Sequence, residues 1–567
     1  MRRLYRESYR VKLDPQARGK VKGSGKSQVK SQSIYLGSAE TILAWKFETQ
    51  GPLSVRHRHF GLVAAAYQTA REYGLIEALQ THLSGSRYGI ERWVYFLITI
   101  VNRLDSATSK NKMQTWIKQT ILPDLLAIDP GQLSSKKYWY VTDDVISEAE
   151  LQEKRAQGQC TADDLFCGLD DEVFQTLEQA VFERLRTLLP DAADALLYDT
   201  TNFFTFFEAL DRSALAQTGH NKDSRHHLRQ VGLALALDRV TGIPFYHQVY
   251  RGNSQDARTF FSVVSALLGR IQHAFQSVDE LVLVLDKGNN KRETFDFLKG
   301  KIDWVGSLVP SHHDELLSIA VEQYEGVYDG MKTLRRTQTV LGHRCVLVMT
   351  YNPKLARKQK ATLTRGIERL QDQLTEKYRS YKNKPLQMTA GLRTMLEQSR
   401  YKKFLRVSVD QAGLHFERDQ GHYEQYEKRL GKNLLFTSKE DAETAWIIQR
   451  YKEKDDLEKV FRDLKDPELI RIRPLRHWTD TKIRAYIFCC VMSVMLLRLM
   501  QYKAEQAQLN MSASVLKEEL ADIYEILMIY QRERAERKIS ALSSVQAKLY
   551  DVFKLREIEN QIVLHYS

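Results

Sequence analysis

Apolar residues recur along the chain with two different periods, and the places where the period changes divide it into segments. The first 55 or so residues mix basic clusters with short alternating runs such as SIYLG, and GKVKGSGKSQVKS reads as a turn or loop, giving a small basic module over 1–55. From His57 to about Pro190 the repeat is helical, as in HFGLVAAAYQTAREYGLIEALQTHL, where Gly74 separates two amphipathic stretches. That pair fits a helix-turn-helix, which would bind DNA, or a plain helical hairpin, so 56–190 is a helical region. Around Ala195 short apolar runs bounded by turn residues take over: ALLYDTTNF, QVGLALALDRVTG, IPFYHQVYRGN, LVLVLDKGNN and WVGSLVP. They predict five strands of one sheet. The first three are spaced for an antiparallel meander with Thr241-Gly242 as a turn. DARTFFSVVSALLGRIQHAF supplies a crossover helix before the fourth, and KRETFDFLKG a helix after it.

From about Ser311 to Ser438 the pattern breaks. Candidate strands in GVYDGMKTLRRTQTVL, RCVLVMTYN, FLRVSVDQAGLHFERD and LLFTS surround a basic helix, PKLARKQKATLTRGIERLQDQLTEKYRS, and together read as an insertion over 311–440. Helical character returns with DAETAWIIQRYKEKDDLEKVFRDLK and continues to about 500. The stretch 501–567 is charged and reads as helical. The fold class expected is α+β multidomain: a mixed-sheet core over 191–310 and 441–500, split by the strand-rich insertion, with helical regions at both ends.

Composition narrows the partner. The 567 residues carry 84 Lys and Arg against 71 Asp and Glu, a formal net charge of +13, which favours a polyanion through counterion release. Five cysteines, Cys160, Cys167, Cys345, Cys489 and Cys490, show no zinc spacing and read as reduced thiols of a cytosolic protein. The most apolar stretch, Ala485 to Leu497, is shorter than the roughly 18 to 20 residues a membrane span needs, so a core helix and no membrane partner are expected.

Three acidic residues stand where a metal site would use them. Asp199 ends the apolar run LLYD, Asp286 ends LVLVLD, and Glu458 lies on a helix. An acid at a strand end is common and often only caps a turn. Their joint placement weighs more, because strand carboxyl ends are where backbone pairing stops and a cavity can open. Magnesium is a hard cation that prefers carboxylate oxygens, and two such ions serve phosphoryl transfer. Tyr451, Lys454, Glu458 and Lys465, spaced by three, four and seven, would fall within about 60° of one helix face. A solvated face with a Lys454–Glu458 salt bridge reads equally well from charge alone. His226-His227 and His312-His313 lack metal spacing, whereas His220, Lys222 and Arg225 in a polar loop, and Lys354, Arg357, Lys358, Lys360, Arg365 and Arg369 in the basic helix, are candidates for phosphate contact or for plain solvation.

The set YDTTNFF at 198–204, VLDKGN at 284–289 and YKEKDDLEKVFRDLK at 451–465 resembles the DDE transposases of bacterial insertion sequences. The branch it resembles is the superfamily named after insertion sequence four, whose signature is Tyr-x2-Arg-x3-Glu-x6-Lys. This chain matches at Tyr451, Glu458 and Lys465 and departs at Lys454, which keeps the charge of the signature's Arg but not its two-pronged fork. Segments 219–260 and 472–488 are similar to the same group, so the resemblance runs from about 195 to 500.

The resemblance implies a ribonuclease H-like core with Asp199 on the first strand, Asp286 on the fourth and Glu458 on a late helix. The separation of 172 positions from the second to the third acid would hold a strand-rich insertion. It further implies two Mg2+ ions (or Mn2+) on Asp199, Asp286 and Glu458, and DNA phosphates on Tyr451, Lys454 and Lys465. Water would cut the phosphodiester at the element's end, and the freed 3′-hydroxyl would attack target DNA. The expected partners are double-stranded DNA, namely terminal inverted repeats and target, and a second copy of the chain in a DNA-bound synaptic dimer, in a bacterial cytoplasm at the nucleoid. A nuclease that does not join, or a DNA-binding derivative that does not cut, are the alternatives.

Overall fold

The computed structural model describes residues 52–562 apart from 86–88, 143–155, 157–171, 190–194, 207–212, 220–226, 255, 275–280, 382–384 and 531–534. The basic module at 1–55 thus lies almost wholly outside the described residues, as do Cys160, Cys167, His220, Lys222, Arg225 and His226. The chain divides into two compact units, 1–55 with 528–536, and 56–527 with 537–567. In the first, the Leu53 amide donates to the Ile529 carbonyl at 2.7 Å. Everything that bears on the candidate site belongs to the second.

All five predicted runs are strands: β1 (Ala195–Phe204), β2 (Arg229–Asp238), β3 (Pro244–Arg251), β4 (Val282–Leu285) and β5 (Asp303–Ser307). β2 pairs antiparallel with β1 and β3, β4 lies parallel to β1, and β5 parallel to β4, so their lateral order is 3-2-1-4-5. Parallel pairing needs crossovers, which the helices Asp256–Ala274 and Arg292–Leu298 provide. The sheet continues past β5. The segment read as an insertion contributes β6 (Gly326–Tyr328), β7 (Met331–Val340), β8 (His343–Tyr351) and β9 (Lys432–Thr437), which extend the sheet in the order β5-β9-β8-β7-β6. Successive antiparallel pairings of β5 with β9 and β9 with β8 leave β8 running in the direction of β1, β4 and β5.

Between β8 and β9 stands a helical excursion: α1 (Pro353–Ser380), a helix at Pro385–Gln398 and the hairpin Leu405–Asp410 with Gly413–Arg418. It has its own small core of Leu363, Ile367, Leu370, Leu374, Leu392, Leu405 and Tyr423. After β9 come α2 (Thr444–Lys452), α3 (Lys454–Lys465) and α4 (Asp480–Gln506).

Strand parity assigns the sheet's two faces. Leu196, Tyr198, Leu283 and Leu285 join one core with Phe260, Val264 and Leu267 of the crossover helix. Ala195, Leu197, Val282 and Val284 join the other with residues of α2, α3 and α4. Because both faces are covered, β1 and β4 read as continuous apolar runs rather than alternating ones. α4 has the length and hydropathy of a membrane span, yet 83% of its apolar window is buried within the chain, where Leu496, Leu499 and Met500 are fully enclosed. Burying each such side chain contributes about 1.5–3 kcal/mol, which makes this helix the centre of the larger core. The amino-terminal helices Gly61–Glu72 and Leu75–His82 separate at Gly74, whose φ of 78° suits a residue without Cβ. Ala64, Ala65 and Ala66 are fully buried, so this hairpin is packed into the core.

Two expectations are corrected. The carboxyl-terminal stretch is not helical throughout, since Tyr524–Ile529 and Ala535–Ile539 are strands. YEILMI has the β-branched and aromatic content of a strand, which the surrounding charge obscures. The helix expected to run unbroken through Tyr451 and Lys465 is also interrupted, at Glu453.

Candidate functional site

The edge where β4 and β5 end, beside the middle of the longer β1, gathers most of the residues singled out above. β1 pairs with β4 in the register Ala195↔Val282 through Tyr198↔Leu285, so the next positions, Asp199 and Asp286, stand side by side on adjacent parallel strands. Parity puts both on the face that carries α3, together with Thr201 and Ser307. The β4 backbone leaves the sheet at Asp286, which caps the turn Lys287–Asn289. Both aspartates are partly buried.

α3 lies across this edge because Leu457, Val460, Phe461 and Leu464 form a buried stripe. At 100° per residue Lys454, Glu458 and Lys465 fall within about 40° of one another, beside that stripe. Lys454 Nζ donates to Asp286 Oδ1 at 2.7 Å and lies 3.8 Å from Glu458 Oε1. Lys465 Nζ donates to Thr201 Oγ1 at 2.7 Å and sits over the Phe203 ring at 5.7 Å. Glu458 is the outlier in burial, with 61% of its side chain exposed.

Tyr451 reaches the same edge from the end of α2 rather than from α3. Its phenol is hydrogen-bonded to Ser307, and the Lys454 ammonium lies 5.7 Å from its ring centre. The helix break that separates the two is anchored. Glu453 Oε1 accepts from Arg239, just beyond β2, and from Arg450, each at 3.2 Å. An ion pair to a strand end thus outweighs helix continuity at this residue.

Burial and charge set the proton affinities. For Lys454, burial lowers the pKa but the hydrogen bond to Asp286, the neighbouring Tyr451, and the Asp286 and Asp199 charges more than offset it, leaving a net rise. For Tyr451, burial raises the pKa against the opposing pull of Lys454 and Ser307. Lys287 has its pKa lowered by burial and by the Lys454 charge, with Asp286 working the other way. The edge is therefore a small field of acids and ammonium groups held at contact distance.

Among the described residues, no three Asp, Glu, His or Cys side chains converge tightly enough to hold a metal ion. Asp199 and Asp286 are brought together, and Glu458, largely exposed, stands beyond them with the Lys454 ammonium between it and Asp286. The donor chemistry suits a hard divalent cation, and the place between Asp286 and Glu458 is taken by a cation, the Lys454 ammonium. His312 and His313 lie beyond β5, at Pro310–His312 and after it, and join no ligand group.

The sequence reading missed Thr201, Lys287, Ser307 and Glu453. Thr201 and Lys287 had a signal: the first is two residues from Asp199 and so shares its strand face, and the second adjoins Asp286. Ser307 and Glu453 had none, because their partners are 144 and 214 residues away in the chain.

No family model matches the chain, and no curated protein matches it. Among solved structures it is similar to a piggyBac transposase in a synaptic complex with hairpin DNA, with a TM-score of 0.39 and 9% identity over 89% of this chain and 85% of that one. A likeness this slight does not establish a shared fold.

Proposed function

We propose that this protein is a DNA transposase that cuts the ends of a mobile element and joins them to target DNA. The observation that carries the reading is the placement of Asp199 on β1 and of Asp286 just past the end of the adjacent parallel β4 in a 3-2-1-4-5 sheet, with Lys454 and Glu458 of α3 brought to the same edge. We read this sheet as a ribonuclease H-like core, a reading supported by its coincidence with the three sequence segments on which the resemblance to the insertion-sequence-four superfamily rests.

In this reading Asp199, Asp286 and Glu458 would hold two Mg2+ ions. Bound there, the ions would neutralise charge on the phosphate undergoing substitution. The chain's own cations do the positioning. Lys465, fixed by Thr201, and Lys454, between Asp286 and Glu458, would present ammonium groups to phosphate oxygens. The Tyr451 phenol, held neutral by burial, donates a hydrogen bond without adding negative charge beside DNA. In cleavage one water oxygen–phosphorus bond forms as one phosphorus–oxygen bond to the departing 3′-oxygen breaks. In joining, that 3′-hydroxyl makes the new bond and another phosphate ester breaks. Bonds are exchanged one for one, so no external energy source is required. A second copy of the chain would bring two ends together.

The test is cleavage by the purified protein of duplexes carrying the DNA that flanks its gene, with Mg2+, with chelator, and with Asp199→Asn or Glu458→Gln. Cuts at defined ends that vanish in all three controls, together with joined products, are expected. Cutting without joined products would replace the proposal with a nuclease, and specific binding without cutting would replace it with a DNA-binding derivative.

A further inference from the structure

We propose that the amino-terminal half of α1 is a docking surface for the phosphate backbone of duplex DNA, a contact separate from the carboxylate edge and flanking it. The inference rests on the preceding reading that DNA is the substrate, and it adds where that DNA runs.

α1 carries eight Lys and Arg against three Asp and Glu, and the charges are sorted. Its start is fixed by Asn352, whose side-chain oxygen accepts from the Lys354 and Leu355 amides at 3.0 and 3.1 Å, and by Pro353 in the first turn. Leu363, Ile367, Leu370 and Leu374 face the small core. On the opposite side, Lys354, Arg357, Lys358, Arg365 and Arg369 are exposed. Acids appear on that side only from Glu368 onward, with Asp372 and Glu376 following it.

Little of this charge is spent on the fold, although Lys354 lies near enough to Asp329 to add to the lowering of that carboxyl's pKa that Lys452 chiefly causes. Lys360, to one side, pairs with Glu427 at 2.6 Å. Among the described residues none of the other five makes an ion pair, and Arg365 hydrogen-bonds only the Ala361 carbonyl one turn back. The arrangement works against an isolated helix. Like charges at i,i+4, as in Lys354–Lys358 and Arg365–Arg369, cost about 0.2–0.5 kcal/mol per pair. Cations in the first turns also oppose the helix dipole. A polyanion laid along the stripe relieves both terms. From Lys354 to Arg369 the stripe is about 22 Å long at 1.5 Å per residue.

The topology sets this stripe beside the candidate site. β8 runs in the same direction as β1 and β4, so α1 starts at the sheet edge where Asp199 and Asp286 sit. A chain of contacts joins the two places. Tyr451 bonds Ser307, Ser307 Oγ donates to Asn433 Oδ1 at 3.1 Å, and Asn433 pairs with Thr350 near the end of β8. With strands about 4.8 Å apart, β8 is roughly 14 Å from the strand of Asp286 and roughly 19 Å from that of Asp199. At 3.4 Å per nucleotide this is about four to six steps along one strand. A small neutral ligand would have no use for such a stripe, whereas a duplex crossing the edge would meet both places at once.

The experiment compares three full-length proteins in duplex binding across a salt series: the parent, a variant with Lys354→Gln, Arg357→Gln, Lys358→Gln, Arg365→Gln and Arg369→Gln, and a control with Lys118→Gln, Lys136→Gln, Lys299→Gln, Lys548→Gln and Arg556→Gln. Each lost phosphate contact lowers the slope of log affinity against log salt by about 0.9, so the α1 variant is expected to lose about three units or more of slope. The control should stay within about one unit of the parent. Neutral methylphosphonates four to six nucleotides from the cut should weaken the parent and leave the variant unaffected. If the five-site variant melts early, Arg365→Gln with Arg369→Gln replaces it, with an expected loss of about two units. A variant slope equal to the control's overturns the α1 surface while leaving the transposase reading intact. A parent that shows no salt-dependent duplex binding overturns both.

Discussion

At the residue scale, Lys454 is the side chain on which the candidate site turns. Its ammonium lies between Asp286 and Glu458, where a divalent ion would compete with it. Lys454→Gln should therefore bind Mn2+ more tightly than the parent, by roughly tenfold, because the competing charge is gone. Calorimetric titration without DNA reads this directly, and equal affinities would mean that Lys454 does not guard the cation position. A second residue gives a pH signature. His59 Nδ1 is 2.8 Å from Asp105 Oδ2, and that hydrogen bond raises the His59 pKa against the lowering effect of burial, with the Asp105 charge adding to the rise. A raised folded-state pKa means that the stabilisation is complete below the unfolded value of about 6.5 and is lost as pH climbs through the folded one. The melting temperature of the parent should thus exceed that of His59→Gln by more at pH 5.5 than at pH 8.5. Parallel pH profiles would show that the pair is not proton-linked.

At the element scale, what the sequence revealed depends on the range of the deciding interaction. β1, β4 and the stripe of α3 follow from apolar runs and local period, and they were readable. The break between α2 and α3 was not, because it is decided by Glu453 meeting Arg239 and Arg450. Glu453→Ala leaves two largely buried guanidinium groups without this partner and should cost about 1–3 kcal/mol in urea unfolding, a range reduced for partial exposure. No loss would mean that the break is set by the backbone alone. Close approach of strands makes a second case. A Cβ built on Gly252 would lie 1.8 Å from the Gln230 carbonyl oxygen, a backbone atom that cannot swing aside. Gly252→Ala should destabilise by about 2 kcal/mol or more, and a melting temperature equal to the parent's would count against this packing. The extension of the sheet through β9 to β6 was likewise hidden, since strands in an insertion carry no label saying which sheet they join.

At the scale of the whole molecule, one buried layer organises the second unit. α4 packs beneath the sheet and against the amino-terminal helix Arg92–Asp105, where Ser493 Oγ donates to the Ile100 carbonyl at 2.9 Å. Cys489 and Cys490 lie in this layer and Cys345 in the sheet, and burial pushes all three thiols well above their ordinary range. In the folded protein these three should resist a disulfide reagent such as dithiobis-nitrobenzoate, and react only in denaturant. Mass spectrometry of the labelled peptides separates them from Cys160 and Cys167, and fast labelling at Cys489 would contradict the burial of α4.

The sequence by itself determined which segments are strands and which are helices in the central region, and that Asp286 stands at a strand end, whereas Asp199, which ends an apolar run, lies in the middle of its strand. Those properties depend on side-chain period and on backbone pairing within a few residues. It also determined the excess of positive charge and the sorting of cations along one face of α1, because helical geometry converts spacing into direction. Only the tertiary structure decided that Asp199 and Asp286 are neighbours, that Tyr451 arrives from a separate helix, that Lys454 occupies the space between two acids, and that α1 begins at the same edge as the carboxylates. Each of these depends on residues from roughly seventy to roughly 170 positions apart in the chain. Their proximity is set by register and crossover direction in a shared sheet, which no local pattern of residues encodes.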